Sequence, residues 1–118
     1  MASWKGIKAR RGESMRILLS FTIHPDKGDA LIKEGRIGET MASILQELQP
    51  EAAYFTAVEG TRGGYLVVNM EDASQMPTLT EPLFLELGAT IQIQPVMTPE
   101  DLQGAAGEAL QQMGQKYG

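Results

Sequence analysis

His24 is the only histidine in the chain, and so the only side chain whose unperturbed pKa falls near neutrality. It closes an apolar stretch just before Pro25, a place from which an imidazole can act as a base or a metal ligand. The plainer reading is a polar residue that ends a strand, because no second His or close acid accompanies it in the sequence. Glu81 is the second candidate, since it stands before Pro82 in the middle of an apolar helical segment. If the helix turns there and draws the carboxyl inward, burial raises its pKa and makes it a base. The alternative is that Pro82 only reshapes the helix against its neighbours. His24 and Glu81 are therefore the expected proton carriers of any catalysis. Thr22, Tyr54, Phe55, Tyr65 and Phe84 are the expected ligand contacts, their rings either lining a pocket or packing across strands.

Other motifs are accounted for by structure alone. The segment Glu59-Gly60-Thr61-Arg62-Gly63-Gly64 is rich in glycine, but it lacks both the phosphate-loop spacing and a following helix. A hairpin explains it, with Arg62 at the tip either solvated or ion-paired rather than clamping an anion. Glu71-Asp72 and Glu100-Asp101 precede helices, where acids complement the dipole. The seven methionines are never grouped with Cys or His in the way a copper site requires. The absence of Cys excludes disulfides, cysteine zinc sites, iron–sulfur clusters and thiol nucleophiles. No metal and no cofactor are expected.

The elements that must hold these residues follow from periodicity. Met15 to His24 alternates, with Ile17, Leu19, Phe21 and Ile23 on one face, which predicts a half-buried strand. Pro25-Asp26 opens a helical region, Asp26 accepting from the free N–H groups of its first turn, and the best-formed helix is expected over 38–48. Strands are expected over 52–59 and 64–70, paired antiparallel around the glycine segment. A helix starts at Asp72 and is kinked or split by Pro82, and Gly88 caps it. A fourth strand covers 89–96. Thr98, Pro99 and the acids after them start a C-terminal helix whose thin apolar stripe needs its own body or a partner subunit to lie against.

Charge divides the chain unevenly. Residues 1–14 hold Lys5, Lys8, Arg10 and Arg11 against Glu13, whereas 15–118 carry six Lys and Arg against fourteen Asp and Glu, a net of −8. An acidic body is a poor binder of phosphate backbones, so no nucleic-acid partner is expected. The apolar run 17–23 is too short to span a bilayer, and no membrane partner is expected. Cytoplasmic residence is the default. The division predicted is a basic tail (1–14), a ferredoxin-like domain (15–96) and a C-terminal helical arm of the same domain (97–118).

The order βαββαβ predicts an α+β fold, ferredoxin-like, with a four-stranded antiparallel sheet, both helices on one face and the other face open. That open face is too apolar for solvent and too polar for a dry core, so two copies are expected to stack through it. By topology and size the chain resembles the dimeric α+β barrel superfamily, whose members include monooxygenases and isomerases. More closely, through residues 50–56, Gly64-Tyr65, 72–77, 81–85 and 95–102, it is similar to an uncharacterised group of short bacterial proteins. The resemblance implies a homodimer through the sheet face. Three functions stay open: binding of a small, partly apolar or aromatic molecule between sheet and helices, cofactor-free monooxygenase- or isomerase-like catalysis through His24 or Glu81, and a non-catalytic structural or interaction module.

Overall fold

The computed structural model describes residues 14–118, so the expected basic tail lies outside the described residues except for Ser14. The elements are β1 (Met15–Thr22), α1 (Pro25–Lys33), α2 (Ile37–Leu48), β2 (Ala52–Val58), β3 (Thr61–Met70), a 3-10 turn (Ala73–Gln75), α3 (Met76–Leu87), β4 (Thr90–Pro95), α4 (Pro99–Gln103) and α5 (Ala105–Tyr117). The four strands form one antiparallel sheet in the order β2-β3-β1-β4. This is the ferredoxin-like type of α+β arrangement that the alternation of elements predicts.

Alternation along β1 sets the layers. Ile17, Leu19 and Phe21 point to the helix side and are buried, as are Leu66 and Val68 of β3. Ile44 and Leu48 of α2, and Leu79, Leu83 and Leu87 of α3, close over them. On the far side the register aligns Tyr54 with Tyr65, Tyr65 with Ser20 and Ser20 with Gln92 across all four strands. The row beside it runs from Ala52 through Val67 and Leu18 to Gln94. Pro95 sits at the end of β4, an edge strand, where a missing N–H costs least.

Several local expectations need correction. The helical region after Pro25 is two helices, because Gly35 adopts φ 70° and the chain folds back so that the Arg36 N–H donates to Leu31 O at 2.8 Å. His24, not Asp26, caps α1: its Nδ1 accepts from the Asp26 N–H at 3.2 Å. The β2–β3 turn is only Glu59-Gly60, both at positive φ (50° and 80°), the pairing that a two-residue hairpin favours. Thr61, Arg62 and Gly63 therefore belong to β3. Pro82 does not split α3, which runs unbroken from Met76 to Leu87. Gly104 breaks the C-terminal helix into α4 and α5. Thr98 caps α4 as expected, in a reciprocal box with Asp101 at 3.1 and 2.9 Å.

Candidate functional site

The two-residue turn decides where the chemistry sits. In the register, Arg62 lies opposite Ala57 and shares a face with Gly64 and Leu66, the face turned to the helices. β2 is the edge strand on that side, and the helices do not cover its outer half. Phe55 is 53% exposed and Ala57 is exposed, although both belong to the core-facing set. Between this bare stretch of β2 and the α1–α2 pair runs an open groove of about 770 Å3. Ile37 and Met41 of α2 form one wall, Ile23 and Pro25 another, and Phe55, Ala57 and Arg62 the floor. A second hollow of about 430 Å3 shares Ile37, Met41 and Phe55 and carries the apolar surface on to Leu45. The larger volume lies in the range usual for small-molecule sites.

Among the described residues, Arg62 is the one charged side chain in the lining of the larger hollow. Its Nη1 donates to Asp29 Oδ1 at 2.8 Å, with both side chains about half exposed, so the pair is a weak tether between β3 and α1. Gly28 leaves room for this contact. It is buried within α1, and a Cβ there would stand 3.1 Å from Arg62 Nη1 and 3.3 Å from Ile23 Cγ2. A helical glycine costs roughly 0.5–1 kcal/mol relative to alanine, and here it opens the space that the guanidinium crosses. Two further glycines bring the strands together: a Cβ on Gly63 would fall far inside contact with Phe21 O, and one on Gly64 inside contact with Tyr54 O. Sequence reasoning put Gly63 in the turn and Gly64 at the start of the strand, and so put Arg62 at the tip. The signal that would have found its place is Glu59-Gly60 as a complete two-residue turn.

The residues singled out in the sequence are divided among separate places. Phe55 is in the groove. Thr22, Tyr54 and Tyr65 are on the opposite, open face of the sheet, Tyr54 65% and Tyr65 36% exposed. Tyr65 borders a hollow of about 230 Å3 there, with Leu18, Ser20, Gln92 and Gln94. Phe84 is exposed on α3. His24 is exposed, its Nδ1 engaged in the α1 cap, which leaves Nε2 as the protonated nitrogen of the neutral ring. Glu81 is exposed, where the sequence suggested an inward turn. It borders a shallow hollow between α2 and α3 that also contains Glu47 and Glu86. Pro82, half-buried, faces inward in its place. Among the described residues, His24 does not line the hollow that Glu81 borders. Among the described residues no group of three or more His, Cys, Asp or Glu is placed to hold a metal ion.

The perturbed charges lie at the other end of the sheet. Arg16 makes a two-pronged contact with Glu51, its Nη2 donating to Oε2 at 3.2 Å. The hydrogen bond and the attraction lower the Glu51 pKa and raise that of Arg16. Asp101 is lowered by the bonds it receives from Thr98, the backbone N–H first. The arm begins here, as Val96 N–H donates to Arg16 O at 3.1 Å. Beyond it α5 has no buried residue, and Leu102, Leu110, Met113 and Tyr117 are exposed.

No family model matches the chain, and no curated protein matches it. Among solved structures, it is similar to the uncharacterised protein TM1266 from Thermotoga maritima, at 14% identity and a TM-score of 0.47. The match covers 72% of this chain and all of that one. Among the described residues no helix is long and apolar enough to cross a membrane.

Proposed function

We propose that this chain is a small-molecule binding protein that holds a partly apolar ligand in the groove between β2 and the α1–α2 pair. The observation that carries this reading is the bare core-facing side of β2: Phe55 and Ala57 face the helix layer, yet a groove of about 770 Å3 lies over them instead of a helix. Apolar surface of this kind on a folded protein marks a contact site. The test compares the unaltered chain with Ala57→Trp, which fills the groove from its floor at an exposed position. In native mass spectrometry and thermal melts, 1-octanol or sodium octanoate should bind and raise the melting temperature of the unaltered chain. Ala57→Trp should lose that response while keeping its fold. If neither probe binds at millimolar concentration, or if Ala57→Trp responds as before, the reading is refuted.

The same protein is proposed to act as a cytoplasmic homodimer stacked through its open sheet face. Leu18, Val67 and Val58 are only half-buried there, beside the exposed Tyr54 and Tyr65, a surface suited to a second sheet. Leu18→Asp should then convert a dimer to a monomer in sedimentation, and an intact dimer would overturn this arrangement. A second reading, an interaction module, is favoured by α5. Thirteen residues that include Gly107 and Gly114 are marginal as an isolated helix, so the exposed stripe of Leu110, Met113 and Tyr117 calls for a second copy of this chain. Removing 98–118 should then change the number of subunits, and an unchanged number would count against it.

A further inference from the structure

We infer that the groove takes an apolar monocarboxylate, with Arg62 as the anchor for its carboxylate. This rests on the groove being a ligand site, and it adds the chemical class of the ligand. Arg62 belongs to β3, an interior strand, so its inward charge does not serve to protect a sheet edge from pairing. Among the described residues, the rest of the lining is apolar or uncharged. Asp29 occupies Nη1 alone, and among the described residues Nε and Nη2 have no hydrogen-bond partner. A guanidinium held at one corner presents the remaining N–H groups as a fork, the geometry that matches a carboxylate. Gly28 leaves room for the side chain to lie against α1 beside the groove, where it is still about half exposed and open to a ligand. The charge of the rest of the chain narrows the class further. A body with net −8 over residues 15–118 repels polyanions, so one carboxylate on an apolar tail fits the single cation and the apolar walls together.

The experiment titrates three probes of equal chain length into the full chain by calorimetry: sodium octanoate, 1-octanol and octylamine. Octanoate should bind about tenfold more tightly than octanol, and octylamine more weakly than either. Arg62→Gln should abolish the preference for octanoate and leave octanol binding unchanged. Should that variant not fold, the Arg62 Nε–H resonance of the unaltered protein provides the same answer, shifting with octanoate and not with octanol. Equal binding of octanoate and octanol, or a preference that survives in Arg62→Gln, would overturn the carboxylate assignment while the groove stands as a ligand site. An Nε–H resonance unmoved by octanoate would overturn it equally. Binding of none of the three probes would overturn both this assignment and the ligand-site reading beneath it.

Discussion

Truncating two phenylalanines of the same sheet face should have very different costs. Phe21, on the interior strand β1, is 1% exposed within the core, whereas Phe55, on the same side but on the edge strand, is 53% exposed over the groove. Fully burying a phenylalanine is worth roughly 1.5–3 kcal/mol, so the half of Phe55 that is covered contributes about 1 kcal/mol. Phe55→Ala also leaves no sealed void, because the groove is already open. Phe21→Ala loses the whole transfer term and leaves a cavity, a cost of about 3–5 kcal/mol. With a urea slope of about 1.5 kcal/mol/M, the midpoint should fall by less than 1 M for Phe55→Ala and by about 2–3 M for Phe21→Ala. Phe21→Leu provides a milder comparison should Phe21→Ala be unfolded from the start. The assay is urea unfolding followed by far-UV circular dichroism at low and high protein concentration. A cost above about 2.5 kcal/mol for Phe55→Ala would refute the open groove. If that cost rose with protein concentration, a second copy would be what covers the ring.

Gly64→Ala should destabilise by about 1–3 kcal/mol, because its Cβ meets the Tyr54 carbonyl, and amide exchange should accelerate first in β2; unchanged exchange there would deny the close approach. Glu59→Asn should stabilise by about 0.5 kcal/mol, since asparagine accepts the positive φ that Glu59 adopts at 50°, and a lower melting temperature would contradict the turn assigned here. Glu51 has its pKa lowered by Arg16, so its contribution is present above the ordinary carboxylate range and is lost as pH falls from about 4 through the lowered value. Arg16→Gln should therefore flatten part of the acid slope of stability, read by urea unfolding at pH 5 and pH 3, and an identical slope in both proteins would refute the link.

The alternation of β1, the helical spacing through α2 and the cap at Thr98 are local patterns, and they suffice for the order of elements and for the ferredoxin-like sheet. The buried face of β1 was legible for the same reason: a period of two assigns Ile17, Leu19 and Phe21 together whatever they pack against. The facing of β2 and β3 was not legible, because a shift of one residue in the turn exchanges the two faces. Reading the turn as four residues sent Arg62 to the tip, whereas two positive-φ residues at Glu59 and Gly60 send it to the helix side of β3. That difference moves Arg62 from the turn tip to the lining of the groove, where its side chain is about half exposed. Pro82 was expected to kink or split the helix because of its missing N–H, yet α3 runs whole from Met76 to Leu87, with Leu79, Leu83 and Leu87 buried in the core. The separation of Phe55 from Tyr54 and Tyr65 likewise follows from register. Sequence determined which segments form elements, since that depends on neighbours a few residues apart. Only the tertiary structure decided which side chains share a hollow, because that depends on how far α1 and α2 extend across the sheet.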